Sequence, residues 1–155
     1  FKKLHVLNNN TFLEITGEAI KMAQSPSYLM RSAGNWYEHG QVTEGFTNNN
    51  QIIGAGVGHG NNVQTIGLSW NQGWKKVGFS FQHVAQNPML EAGPAAVRTR
   101  LVKWDDYAFG LQGGYRFGKI LLTGDLKWVN SSNYLWEKEH SKSNLYAFIN
   151  TIFIW

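Results

Sequence analysis

The residues that decide the fold of this chain are 107–128, which read YAFGLQGGYRFGKILLTGDLKW. Every second residue from Tyr107 to Phe117 is apolar or glycine, and the residues between them are small or polar. The same alternation starts again at Ile120 and runs to Trp128. A period of two places alternate side chains on opposite faces of an extended strand. The stretch therefore predicts two β-strands, each with one apolar face.

The two strands are separated by residues 118–119, a glycine and a lysine that suit a two-residue hairpin turn. This turn pairs Phe117 with Ile120 and Gln112 with Asp125. Both apolar rows then lie on the same side of the hairpin, although the turn length is independent of the alternation. The agreement supports an antiparallel pair, because a slip of one residue would turn one apolar row to the other side.

The rest of the chain repeats this pattern. Residues 61–82 predict a second hairpin, whose turn at 72–73 places Leu68 opposite Val77, and the last strand ends on Trp155. We predict about eight or nine strands, joined alternately by short turns and longer loops, as in bacterial outer-membrane barrels. The segments expected on the inner side are 8–10, 48–50, 72–73 and 118–119. Those expected on the outer side are 24–40, 58–61, 86–103 and 131–142.

Composition favours a membrane barrel over a soluble one. Aromatic residues make up 14% of the chain and charged residues 15%, against about 25% charged in an ordinary soluble domain. Mean hydropathy is nevertheless −0.33, so apolar and polar residues are interleaved. A soluble antiparallel barrel or sandwich would also alternate, but tryptophan and tyrosine near predicted strand ends are typical of membrane interfaces. The net charge is +4 without a basic run, so no nucleic-acid partner is expected.

The alternation assigns side chains to two environments. The residues expected to face lipid are Ile66, Leu68, Val77, Phe79, Phe109, Leu111, Leu122 and Leu126. The residues expected to face a polar lumen are Glu14, Glu18, Gln112, Arg116, Asp125 and Lys127.

One region resembles the capsule assembly Wzi-like family. The matching residues are Trp36-Tyr37-Glu38-His39, Gly45-Phe46, Gln51-Ile52-Ile53-Gly54, Gly58, Gly60-Asn61-Asn62 and Ile66-Gly67-Leu68. The position after Ile-Gly, where the family often carries a histidine, is Ala55 here. The resemblance continues, less specifically, to the C-terminus.

This resemblance implies that residues 1–155 form part of one transmembrane β-barrel domain, the C-terminal part of a barrel of about eighteen strands. It implies a location in the bacterial outer membrane and a non-enzymatic role, the retention of capsular or related exopolysaccharide at the cell surface. Outer-membrane lipid and other outer-membrane proteins are the further partners considered. A general porin or small-solute channel is the alternative function.

The outer loops contain the candidate polysaccharide ligands, because aromatic faces can stack on sugar rings and cations suit acidic polymers. The candidates are Trp36, Tyr37, His39, Arg98, Arg100, Tyr134 and Trp136. The aromatic members could instead belong to the interfacial girdle of a barrel. No catalytic residue, metal ligand or cofactor is expected from the sequence.

Overall fold

The computed structural model describes residues 1–23, 60–86 and 102–154, together with residue 57 and the backbone of 47–48 and 51–52. The described part is all-β apart from one short 3-10 helix, Tyr134–Trp136. Its strands are β1 (Lys2–Asn8), β2 (Thr11–Lys21), β3 (Thr47–Asn48), β4 (Gln51–Ile52), β5 (Asn62–Gln72), β6 (Lys75–Ala85), β7 (Asp105–Phe117), β8 (Ile120–Ser132) and β9 (Lys142–Phe153).

Seven of these strands form one antiparallel sheet in the order β1-β2-β5-β6-β7-β8-β9. The short strands β3 and β4 pair only with each other. The structure describes nine strands, in line with the predicted eight or nine, but only seven of them form the main sheet, which is open. Strand β2 pairs directly with β5, from Thr11 opposite Gln72 to Lys21 opposite Asn62, which leaves no place between them for another strand.

The predicted β7–β8 hairpin is confirmed in its turn and in its register. Phe117 lies opposite Ile120, and Gln112 lies opposite Asp125. The β5–β6 turn was predicted wrongly, because it is formed by residues 73–74 rather than 72–73. Gly73 has a φ of +55°, and a hairpin turn of this kind needs a residue that tolerates positive φ at its first central position.

This correction moves the β5–β6 register by two residues. Leu68 lies opposite Phe79 rather than Val77, and Val77 lies opposite Trp70. Because the side-chain period is two, a shift of two residues leaves every side chain on the face to which it was assigned.

Short and long connections lie at opposite ends of the sheet. At the turn end, the β1–β2, β5–β6 and β7–β8 hairpins close, and the Gly73 N–H donates to the Asn10 carbonyl oxygen at 3.2 Å. The strand ends that flank the connections 22–61, 86–104 and 133–141 lie at the loop end. Short turns and longer connections therefore leave the sheet at opposite ends, as predicted, although the predicted loops 24–40 and 86–103 lie almost wholly outside the described residues. Of the predicted segment 48–50, only the backbone of Asn48 in β3 is described.

One face of the sheet, called here the apolar face, carries continuous cross-strand rows of large apolar side chains. Its central row contains Leu68, Phe79, Leu111, Leu126 and Ala147. All eight residues predicted to face lipid share this face, and each has an exposed side chain.

The opposite face, called here the second face, is polar over the middle strands. All six residues predicted to face a lumen lie on it. Lys127 Nζ donates to Gln82 Oε1 at 3.2 Å, and Gln82 Nε2 donates to Thr65 Oγ1 at 3.1 Å. The lysine can reach across β7 because the intervening residues on this face, Ala108 and Gly110, are small.

The second face becomes apolar at the outer strands. On β1, Leu4 and Val6 are exposed on this face, and on β9 so are Tyr146 and Phe148. Few apolar side chains are buried within the described sheet. The buried ones among the described residues are Ala23, Val63 and Ala108. The described residues therefore provide no second layer against which the apolar face is buried.

The described residues contain no helix with the length and apolarity that crossing a membrane requires.

Candidate functional site

Three aromatic rings meet at the loop end of β7, β8 and β9. The ring centroid of Trp104 lies 5.1 Å from that of Tyr134 and 4.8 Å from that of Trp136. Both contacts are edge-to-face, with interplanar angles of 66° and 84°. This geometry is favourable because the positive edge of one ring meets the negative face of another. We call these three residues the loop-end aromatic cluster.

Strand pairing brings the cluster together. Trp104 comes immediately before β7, and the 3-10 helix follows β8, while Asp105 lies opposite Ser132 at the end of the β7–β8 ladder. Asn133 ties the two segments, because its side-chain amide donates to the Lys103 carbonyl oxygen at 2.8 Å. Residues distant in sequence therefore meet because two strands end at the same level.

The backbone of this connection is strained. Asn133, Leu135, Trp136 and Glu139 all have positive φ, between +52° and +63°. For a residue with a Cβ, this conformation costs about 1–2 kcal/mol, and asparagine tolerates it best. Such strain persists only where the surrounding contacts enforce it. Here the ring contacts of Trp136 and the amide contact of Asn133 supply that enforcement.

Charged groups surround the cluster. Lys142 Nζ lies 4.3 Å from the centroid of the Tyr134 ring, which is a cation–π contact. His140 Nδ1 lies 2.6 Å from a carboxylate oxygen of Glu137, and the His140 ring packs edge-on against Tyr134. The site thus combines partly exposed rings with a lysine at its edge.

The two indole N–H groups of the cluster differ. Trp104 Nε1 donates to Asp106 Oδ1 at 2.8 Å. Trp136 Nε1 is buried and has no hydrogen-bond partner among the described residues. An unpaired buried donor costs about 1–3 kcal/mol. The cluster can therefore offer a ring face and a cation to a polar ring-containing ligand.

The structure places Tyr134 and Trp136 together, as expected for one site. The other candidates, Trp36, Tyr37, His39, Arg98 and Arg100, lie outside the described residues, as does Trp155. Sequence reasoning did not include Trp104 or Lys142 among the ligands. The available signal was that Trp104 directly precedes β7 and Lys142 begins β9. The ends of neighbouring strands lie side by side, so both residues could have been expected near the 131–142 loop.

Two tyrosines lie toward the ends of the apolar row on β7, with Phe117 beyond Tyr115 at the turn end. Near the loop end, Tyr107 stacks on His83 with centroids 4.9 Å apart. His83 also lies 2.8 Å from Asp105 Oδ1. Near the turn end, Lys75 Nζ lies 5.5 Å from the centroid of Tyr115. Each tyrosine therefore contacts a polar or charged side chain as well as the apolar face.

No group of three or more histidine, cysteine, aspartate or glutamate side chains in the described part of the chain could hold a metal ion.

Comparisons with protein-family models, with curated proteins and with solved structures give no match.

Proposed function

We propose that this chain is part of an outer-membrane β-barrel of the capsule assembly Wzi-like kind, which retains capsular or related exopolysaccharide at the cell surface without cleaving it. The observation that carries the proposal is the loop-end aromatic cluster with Lys142 beside it. It lies at the end of the sheet where the long connections lie, and in outer-membrane barrels long loops face the exterior.

The membrane part of the proposal is supported by the segregation of the two faces. Contiguous exposed apolar patches beyond a few hundred Å² are rare on soluble monomers and indicate a protein or membrane contact. The apolar face spans several strands and carries, toward each of its ends on β7, a tyrosine with a polar neighbour. This arrangement corresponds to the lipid-facing band and the two aromatic girdles of an outer-membrane barrel.

The polysaccharide part is supported by the chemistry of the cluster. Aromatic rings can pack against the apolar faces of sugar rings, and a lysine can pair with the carboxylates of an acidic polymer. Each such contact is worth about 1–2 kcal/mol, so retention requires many contacts along one polymer. Long chains should therefore bind well and short oligosaccharides poorly.

The test compares two sites of similar chemistry at opposite ends of the sheet. Tyr134→Ala with Lys142→Gln removes one ring and its cation at the loop end. Trp74→Ala with Arg116→Gln does the same at the turn end, where the Arg116 guanidinium lies 5.2 Å from the centroid of the Trp74 ring. Proteoliposomes carrying the full chain are sedimented with a purified acidic capsular polysaccharide.

We expect polymer to sediment with the wild type and the turn-end variant, and about tenfold less with the loop-end variant. A second loop variant, with Arg98 and Arg100 replaced by glutamine, should also lose polymer. Resistance of each protein to unfolding in detergent serves as the folding control. Equal sedimentation by all correctly folded proteins would exclude these loops as the site. Absence of sedimentation with the wild type would refute polysaccharide retention.

A small-solute channel is the second candidate, and the polar network on the second face favours it. Lys127, Gln82 and Thr65 line that face with hydrogen-bonding groups across several strands. Liposome swelling separates the two functions. Rapid swelling in small sugars, unaffected by Tyr134→Ala with Lys142→Gln, would support the channel, whereas a retention protein need not admit them.

A further inference from the structure

The apolar face contains a groove of about 820 Å³ near the turn end. Its floor is formed by Gly113 and Gly124, which lie directly opposite each other on β7 and β8. Val77 and Ile149 continue the same row on β6 and β9. The groove thus lies where this cross-strand row has two glycines in place of large side chains.

Nothing in the described sheet fills this space. A Cβ built at Gly113 or Gly124 would meet only one backbone oxygen within 4 Å, at 3.9 Å and 3.6 Å respectively. The second face is different, because a Cβ at Gly78 would come within 2.7 Å of the Gln112 side chain. The space at Gly78 is occupied by a neighbour, whereas the space at the paired glycines is open.

The sheet itself does not require glycine at these two positions. Neither Gly113 nor Gly124 has positive φ, and the β7–β8 register runs through the pair without a bulge. Glycine inside a strand weakens it and often marks a close approach by a ligand. Two facing glycines that their own fold does not need therefore indicate an occupant from outside the sheet.

The mouth of the groove is basic. Lys75 lines it together with Tyr115 on the same face. Lys75 forms no salt bridge within the described residues. Arg116 and Trp74 make their cation–π contact at the same end of the sheet. An apolar trough with a cation at its mouth is complementary to a molecule with a hydrocarbon chain and an anionic head.

We propose that the groove over Gly113 and Gly124 binds one acyl chain of an anionic phospholipid, whose phosphate pairs with Lys75 at the turn end. The inference rests on the proposed membrane location of the apolar face. The bound lipid belongs to the leaflet next to the short turns, where the Tyr115 ring lies at the level of its headgroup.

The test titrates the full chain in a mild detergent with phosphatidylglycerol and counts bound lipids by native mass spectrometry. Gly113→Val fills the groove, whereas Gly114→Val adds the same side chain one residue further on, on the second face. Lys75→Gln removes the cation at the mouth, and Lys76→Gln removes the adjacent cation on the second face. Glycerol phosphate, which has the phosphate headgroup but no acyl chain, is titrated as a control ligand.

We expect one tightly held lipid on the wild type and on the Gly114 and Lys76 variants. Gly113→Val and Lys75→Gln should each bind it about tenfold more weakly. Glycerol phosphate should not bind. Equal affinity of Gly113→Val and Gly114→Val for the lipid would overturn the proposal. So would a wild-type dimer that Gly113→Val dissociates without loss of lipid, because the groove would then hold a second copy.

Two further measurements separate this inference from the proposed function. Every variant should still insert into vesicles and still sediment polysaccharide, because the loop-end cluster lies at the other end of the sheet. If Gly113→Val inserts normally and binds the lipid as tightly as the wild type, only the proposal of a lipid-binding groove is contradicted. Failure of the wild type to insert contradicts both proposals.

Discussion

Arginine in place of Leu111 should be among the most damaging single changes on the apolar face, because Leu111 lies at its centre. Tyr107 and Tyr115 lie on the same strand and face, at equal distances along β7 from Leu111. At about 3.3 Å per residue and a tilt of about 40°, each tyrosine is about 10 Å from Leu111 along the membrane normal. That places Leu111 near the midplane of a band about 25 Å tall, where arginine costs about 2–4 kcal/mol.

The measurement is the free energy of unfolding in lipid vesicles, followed by tryptophan fluorescence during urea titration. The matched control is Gln112→Arg, which adds the same side chain to the adjacent residue on the second face. Tyr115→Arg, near the rim, should cost about 0–1 kcal/mol, since the penalty decreases toward the interface. If Leu111→Arg were no more costly than Gln112→Arg, the apolar face would not contact lipid and the reasoning would fail.

Three other outcomes follow from the backbone and the topology. A cysteine at Glu139 should react with an impermeant thiol reagent on intact cells, whereas one at Lys119 should be protected; the reverse pattern would place the short turns outside. Leu135 is 52% exposed and has a φ of +59°, so Leu135→Gly should raise the free energy of unfolding by about 1 kcal/mol. A loss of stability would show that the contacts of the leucine side chain outweigh its backbone strain. In the β7–β8 turn, Gly118 has a φ of +56°, and no atom lies within 4 Å of a Cβ built there. Gly118→Val should therefore lower the free energy of unfolding by about 1–2 kcal/mol, and Gly118→Asn should lower it clearly less. Equal free energies of unfolding for the two variants would contradict this.

The faces could be predicted from the sequence because they depend only on the parity of each residue along its strand. The assignment of Leu68 and Val77 to one face survived an incorrect turn, since the register error was two residues. The turn itself depended on which residue takes positive φ, and the pair Gln72-Gly73 left that choice open. Gly118 was placed correctly because it begins its turn.

The direct pairing of β2 with β5 could not be read from local pattern. The described residues 47–48 and 51–52 form two short strands, and the ladder that excludes them from the main sheet joins residues as distant as Thr11 and Gln72. Prediction of the candidate site was limited in the same way, because one of its residues is brought in by strand pairing. Tyr134 and Trp136 were found because they are aromatic residues two positions apart in a loop, whereas Trp104 joins them only through the register of β7 and β8.

The uneven lengths of the connections also determine the order in which the sheet can assemble. From β5 to β9, each strand pairs with the strand that follows it in sequence, so each hairpin can extend the last one with a modest loss of chain entropy. The β2–β5 pairing must instead close the 22–61 connection. This connection is roughly twice as long as 86–104, which adds about 0.6 kcal/mol to the entropic free-energy cost of closing it. The hairpin of β1 and β2 should therefore form on its own and dock last, onto a β5 edge that the later strands have already stabilised.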